Sequence, residues 1–456
     1  MKARQLWASL RGSLWFIPGT IVAAAIVLAI GLIELSASVD AATYQRMPRL
    51  FGAGADGARG MLSTIAGSVI TVAGVTFSLT IAALVQASSQ YTPRVLRTFM
   101  GDRPSQVVLG TFVGIFAYCL VVLRTIRGGD EGAFVPPFAV LGGFLLALVG
   151  VGVLVFFIHH TASGLQASTI LARVRRATEA AIDAVFPDEL DERVDDDPAD
   201  RLHTGTDTAE WRTVGALHTG YVQSVNLTRL AECALAHDIT IRVERPVGTF
   251  AIADHPLASI SPAKTSSERS TALSAEDELV TLINEAFAIN SHRTVEQDPA
   301  FGIVQIVDIA LKALSPGIND ITTAVTCVDH LSALLVRLAR RRITPPAPPA
   351  GRAPAVIGND ATFADLLRLA LDDIRRNAGG HVPVLVRLIE SIEITASHTR
   401  APSRRRLLAQ QLDLLSAAIE ATIRSPEDRA WLIARTMQAR ARESSPELRT
   451  ASVQSP

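Results

Sequence analysis

Cysteine, lysine and aromatic residues are all scarce in this 456-residue chain, and each scarcity removes a class of explanation. The three cysteines, Cys119, Cys233 and Cys327, stand far apart and outside any CxxC spacing. That excludes a disulfide framework and a zinc knuckle and leaves them as small buried hydrophobes. Lysine occurs only at Lys2, Lys264 and Lys312, the formal net charge is -1, and aromatics make up 5% of residues without interleaving with basic ones. No nucleic-acid partner is expected from such a balance. The phosphate loop GxxxxGK(S/T), the dinucleotide fingerprint GxGxxG, HExxH and GxSxG are all absent. The chain therefore reads as a non-enzyme, with no catalytic residue, no metal site and no cofactor.

Charge is nearly missing from four long stretches of the first 160 residues: Leu14–Ile33, Met61–Val85, Val107–Leu123 and Val135–Ile158. About 20 mostly apolar residues cross a bilayer core as a helix, so about four transmembrane helices are expected, the first a signal anchor rather than a cleaved signal peptide. Short-loop basic residues favour one side. Lys2, Arg4, Arg11, Arg94, Arg97, Arg103, Arg173, Arg175 and Arg176 fall with the N-terminus, against Arg46, Arg49, Arg59, Arg124 and Arg127 opposite. Both termini are expected in the cytoplasm. Glu34 and Arg124 lie at helix ends, where they reach water, so no buried proton relay is read.

The second stretch differs in carrying hydroxyls and glycines. Thr64, Ser68, Thr71 and Ser78 recur at steps that stack them on one helix face, and Gly67, Thr71, Gly74 and Ser78 give small-xxx-small spacing. Two readings stay open, tight helix packing and a polar pore or oligomer-axis lining. After it, Thr92 and Pro93 start a pattern in which Val95, Leu96, Phe99 and Met100 share a face, as in a short helix lying in the headgroup layer. His159-His160 point to different helix faces and read as interfacial.

Beyond about residue 160 the chain reads as water-soluble and cytoplasmic. A helix over Leu165 to Val185 is followed by an acidic run from Asp188 to Asp200, without the ordered spacing of a calcium loop. Gly220–Val225, alternating Ile239, Ile241 and Val243, and Thr249–Ala253 read as strands around a helix over Leu227–Ala236 capped by Asn226. Helical periodicity returns from Ala275, over Phe301–Leu314, and from Asn319 or Asp320 to Arg342. The expected organisation is a transmembrane domain over 1–160, an α+β domain with a small β-rich part over 161–342, a proline-rich linker over 343–358, a helical bundle over 359–442 and a disordered tail over 443–456. The fold class is membrane α-helical plus cytoplasmic α+β.

The densest polar constellation joins His292, Arg293, Glu296 and Asp298 to Asn319, Asp320 and Thr322. These are candidates for a ligand or subunit contact, although helix capping by Asp298 and Asn319 or Asp320 explains many of the residue types. About 20 Å of helix separates the two groups, so they meet only if neighbouring helices fold one back or if subunits assemble.

The strings FSLTIAALVQASSQYTPRVLRTFMGDRPSQVVLGTF, HRTVEQDPAFGIVQIVDIALKALSPGINDITTA and GYVQSVN resemble the bacterial family of predicted membrane proteins catalogued as domain of unknown function 2254, from Leu14 to about Ala434. The resemblance implies a bacterial inner-membrane location and the same split architecture, and it carries no activity to transfer. The expected function is a homo-oligomeric channel-like or passive-transport protein with a cytoplasmic gating or assembly domain. The alternative is a non-conducting scaffold or sensor whose cytoplasmic part binds a protein or small ligand. The lipid bilayer is the partner the composition names.

Overall fold

The computed structural model describes residues 15–38, 54–90, 103–127, 134–164, 167–190, 211–262, 273–343, 356–358 and 361–444. The expected headgroup helix after Thr92, most of the acidic run, the proline-rich stretch 344–355 and the tail beyond Ser444 lie outside them. The chain divides into two compact units, Met1–Thr169 and Ile170–Pro456.

Unit 1 is built from α1 (Phe16–Ser38), α2 (Ala55–Gln90), α3 (Arg103–Thr125) and α4 (Pro137–Gly164), one for each expected apolar stretch. Helices of 23 residues reach about 35 Å, enough for a hydrocarbon core of about 30 Å. α3 is the central helix. Half of its most apolar window is buried inside the protein, against 17% for α2 and α4, because its Phe112, Ile115, Tyr118 and Val122 pack against the other three. Polar anchors fix the register. The Tyr118 hydroxyl donates to Ala139 O at 2.7 Å, Ser36 Oγ accepts from Phe138 N at 3.2 Å, and Arg59 donates to Ile126 O at 2.9 Å. The last two supply partners to backbone groups at helix ends, where the ladder leaves an N-terminal N–H and a C-terminal carbonyl unpaired.

Among the described residues five helices, against the about four expected, are long and apolar enough to cross a membrane. The fifth is α9 (Ile321–Ala339), in unit 2, where Leu331, Leu334, Leu335 and Leu338 are buried. It also carries Asp329, paired with Arg387, and Arg337, paired with Asp183.

Unit 2 opens with α5 (Ala167–Val185), which begins in the last residues of unit 1 and buries Ile170, Leu171, Val174, Thr178, Ala181 and Ile182. Two small sheets follow, where the sequence suggests one β-rich part. β1 (Arg212–Gly215), β3 (Ile239–Val243), β5 (Pro256–Pro262) and β7 (Val356–Ile357) form one in the order β1-β5-β3-β7. β2 (Gly220–Val225), β4 (Phe250–Ala251) and β6 (Phe287–Asn290) form the other in the order β4-β2-β6. Alternation sends Val222, Ile241, Val243 and Leu257 into a core shared with α6 (Leu227–Ala236) and α7 (Leu273–Glu285). Gly220 sits where a Cβ would stand 2.5 Å from Asn290 O, so strand pairing there needs glycine.

The helical part comprises α8 (Pro299–Leu314), α9, α10 (Phe363–Asn377), α11 (Val382–Ser397), α12 (Pro402–Thr422) and α13 (Pro426–Ser444). α8 packs on α10 and α9 on α11, so helices before and after the proline-rich stretch share one core, and β7 within the expected linker pairs in parallel with β3. Arg404 of α12 is 1% exposed. Its guanidinium donates to Leu338 O, Ala339 O and Arg341 O, and stacks 4.7 Å from the Phe363 ring centroid. One side chain thereby closes the C-terminus of α9 and joins three helices.

Candidate functional site

Unit 2 contains a cleft of about 1020 Å3. Its floor grows out of β2. Asn226 ends that strand and caps α6, its Oδ1 accepting from Arg229 N at 3.0 Å. Asp298 does the same for α8, accepting from Phe301 N at 3.0 Å with Pro299 in the first turn. Thr362 and Asp365 form a reciprocal capping box on α10. Three helices therefore start around the cleft, each with its first turn capped by its own sequence.

Asp298 is the most constrained of these groups. It is 4% exposed, and Arg293 holds its carboxylate at 2.7 and 2.9 Å while stacking 4.9 Å from the Phe301 ring centroid. A buried carboxylate requires such a partner, and this pair is closed over by the turn at Gly248, whose φ of +87° admits no larger residue without collision with Asp298 and Arg293. Gln223 Nε2 donates to His292 O at 2.8 Å, and Gln297 Oε1 accepts from Val225 N at 3.1 Å. The loop from His292 to Asp298 is thereby laced to β2.

The opposite wall is made by the end of α5 and the end of α9. Asp183 receives Arg337 and, at 2.8 Å, Arg341; the Arg337 guanidinium, first among its causes, holds the Asp183 carboxyl below the usual carboxylate range. Beyond it Arg341 donates to Pro187 O at 2.7 Å, Arg342 N to Asp188 O at 2.9 Å and Leu190 N to Arg340 O at 2.8 Å. Ser224, Thr228, Thr249 and Arg342 line the cleft beside the apolar Phe186 and Leu366, and the Thr249 hydroxyl donates to Pro246 O at 2.7 Å. Among the described residues no group of three or more His, Cys, Asp or Glu is placed to hold a metal.

Of the sequence's polar constellation only Asp298 lines this cleft. His292 and Arg293 lie in the loop behind it, and Glu296 is exposed. Asn319, Asp320 and Thr322 lie at the other end of α8, a helix of 16 residues and so about 24 Å away, and the chain does not bring the two groups together. There Asp320 caps α9, accepting from Thr323 N at 3.0 Å and Thr323 Oγ1 at 2.6 Å, which holds its carboxyl below the usual range. Asn319 takes a φ of +48° to make the turn. What the sequence reading missed is the wall from Ala184 to Asp188. Its signal was the Phe186-Pro187 stop directly after a helix, with no motif to mark it.

The candidate membrane face lies on the outside of unit 1. Thr64, Gly67, Ser68, Thr71, Gly74 and Ser78 are all exposed, and a Cβ on Gly67 or Gly74 would meet nothing within 4 Å. The tight-packing reading therefore finds no partner for these glycines among the described residues of the same chain. Close helix contacts are made instead by Gly110, Gly114, Gly142, Gly143 and Gly150; a Cβ on Gly110 would stand 2.8 Å from Pro18 Cα, and one on Gly143 2.6 Å from Leu62 Cδ2. Gly110 and Gly114 have the four-residue spacing that signals this. Thr64 and Thr71 each donate at 2.8 Å to their own helix, to Gly60 O and Gly67 O. Thr64 and Ser68 also edge an apolar groove of about 220 Å3 with Phe112, Gly150 and Leu154. His160 stacks on Phe156 at 5.7 Å.

A unit of long apolar helices joined to a mixed helical and sheet unit defines a membrane protein. Residues 11–393 match the family described as Predicted membrane protein (DUF2254), and the chain belongs to that family. The match ends within α11, short of the Ala434 limit that the sequence strings suggest. Uncharacterized proteins of Mycobacterium bovis and Mycobacterium tuberculosis are each 33% identical over 440 residues, covering 94% of this chain and 80% of theirs. No solved structure matches.

Proposed function

We propose that the protein is a membrane-anchored sensor whose C-terminal unit takes a small polar ligand in the cleft. The observation that carries this is the cleft itself, about 1020 Å3 and lined by both polar residues such as Ser224, Thr228 and Arg342 and apolar ones such as Phe186 and Leu366. In this reading α1 to α4 span a bacterial inner membrane and α9 stays in the core of unit 2. Its Asp329 and Arg337 pair with groups of α11 and α5, which supports a water-facing location. The short-loop arginines support cytoplasmic termini, and Arg59, one of the opposing five, serves as a helix-end donor. No catalytic step is assigned. Thermal unfolding of the purified full-length protein against a panel of small polar metabolites tests the reading, since a ligand at 100 times its Kd adds about 2.7 kcal/mol. A compound that stabilises the parent and not Thr228→Trp, which fills the cleft, supports it; a panel with no such compound removes the sensor role.

A second reading is a homo-oligomeric channel-like or passive-transport protein. It is favoured by the uncovered glycine and hydroxyl face of α2, whose partner would be another copy. The apolar groove beside it and the self-satisfied threonines place it second. Mass in detergent, with thiol labelling of cysteines placed at Ser68, Thr71 and Ser78 against Leu79 and Ile81, separates the two. A monomer with all five positions protected ends the channel reading.

A further inference from the structure

Among the described residues four charged side chains belong to the lining of the cleft, Asp188, Asp298, Asp365 and Arg342, and two of them are already matched. Asp298 is held by Arg293 and accepts from Phe301 N. Asp365 accepts from Thr362 N at 3.0 Å, from the Thr362 hydroxyl at 2.6 Å and from Arg368 at 2.9 Å. Each of these carboxylates therefore has a guanidinium of its own. The amides of the lining are oriented by their bonds in the same way: Gln297 Oε1 accepts from Val225 N at 3.1 Å, and Asn226 Oδ1 from Arg229 N at 3.0 Å. In both side chains the carbonyl is engaged and the NH2 group, a donor only, remains open. Val225 and Asn226 are consecutive, so both open NH2 groups belong to the corner where β2 ends. Arg342 adds a charged donor. Its backbone N–H is bonded to Asp188 O at 2.9 Å, but among the described residues nothing accepts from its guanidinium, and it forms no ion pair with the exposed Asp188 carboxylate. The open polar groups of the cleft are thus mostly donors, beside the apolar Phe186 and Leu366.

We propose that the cleft takes a small organic anion, a carboxylate or phosphate on an apolar body, and that Arg342 binds the anionic head. The proposal rests on the cleft being the ligand site, and it names the class of molecule that site takes. A guanidinium pairs with either head through two parallel N–H···O bonds, and amide NH2 groups donate to the same oxygens. A cationic head would meet an unmatched guanidinium and a single open carboxylate, so the charge of the lining selects against it.

Probes that share a phenyl body and differ in the head provide the test: benzoate, phenyl phosphate, benzylamine and benzyl alcohol, titrated by calorimetry into the purified full-length protein in detergent. Only binding that Thr228→Trp abolishes counts as binding in the cleft, which removes partition into micelles and anions held elsewhere. At least one anion is expected to bind about tenfold or more tighter than the amine and the alcohol, and the better of the two identifies the head. Arg342→Gln should weaken that anion by about tenfold or more, Arg342→Lys by less, and Arg340→Gln, at the exposed neighbour, should leave it unchanged. Asp188→Asn should tighten it severalfold by removing a like charge, and it carries the test with the opposite sign should Arg342→Gln unfold. No cleft binding by either anion, equal or tighter binding of benzylamine, or anion binding that neither Arg342→Gln nor Asp188→Asn changes overturns the proposal. The cleft itself is decided separately: a neutral or cationic metabolite that stabilises the parent and not Thr228→Trp keeps the ligand site and removes the anion, whereas an empty metabolite panel with no probe bound removes both.

Discussion

Arg404 shows how much one side chain can hold. Its guanidinium lies in the interior, and it donates to three carbonyls at the end of α9, so Arg404→Ala leaves those oxygens buried without their donor. The expected loss is roughly 3 kcal/mol, seen as a lower midpoint in thermal unfolding of the purified protein. Arg404→Lys should recover little of it, because an ammonium has no planar fork to reach three oxygens and no face to lay on Phe363. Asp183 makes a pH prediction. Its carboxyl is held below the usual range by Arg337, so the pairing stabilises the fold at pH values above about 4, where the unfolded carboxyl is ionised too, and this contribution fades as the pH falls through the lower folded value. Acid unfolding of Asp183→Asn should therefore start from a less stable protein near neutrality and show a shallower loss on the acid side. An identical acid limb in parent and variant would show that the ion pair is screened out.

Among elements, α2 and α3 are opposites. α3 is surrounded, and its Gly110 and Gly114 and the Gly142, Gly143 and Gly150 of α4 are used up in contacts within the chain. α2 turns Ala58, Leu62, Ala66 and Ala73 inward and leaves its glycines outside. Replacing both Gly67 and Gly74 by Leu should lower the self-associated fraction, read by mass in detergent, while leaving the thermal midpoint of the monomer unchanged. Gly143→Leu should do the reverse, because a Cβ there would stand 2.6 Å from Leu62 Cδ2, and overpacking costs about 1–3 kcal/mol. If the first pair changes neither quantity, the small face of α2 meets lipid alone. The secondary structure of these helices was readable because a run of apolar residues has few other fates. The direction each face takes was not, since glycine at helical spacing looks the same whether its neighbour is in the chain or outside it.

At the scale of the whole molecule the positive charge of the short loops yields one more expectation. A fluorescent protein active in the cytoplasm, fused at the C-terminal end, should fluoresce, and alkaline phosphatase in the same place should stay inactive. The opposite pattern would invert the molecule and put the cleft outside. The sequence by itself determined the apolar spans, the helix starts at Asn226 and Asp298 and one at Asn319 or Asp320, and the break between a membrane part and a mixed part, because all of these are written in local composition and in contacts three or four residues apart. It did not reveal β1, β5 or α11. Pro256 and Pro262 bracket β5, and α11 opens with a proline and is rich in valine and isoleucine, so local preference pointed elsewhere or nowhere. Only the tertiary structure decided that helices on either side of the proline-rich stretch share a core, that Asp298 and Asp320 stand at opposite ends of α8, and that the stop at Phe186-Pro187 becomes a cleft wall. Those outcomes depend on pairs such as Asp183 with Arg337, 154 residues apart, and no local pattern records which distant side chain completes a charge.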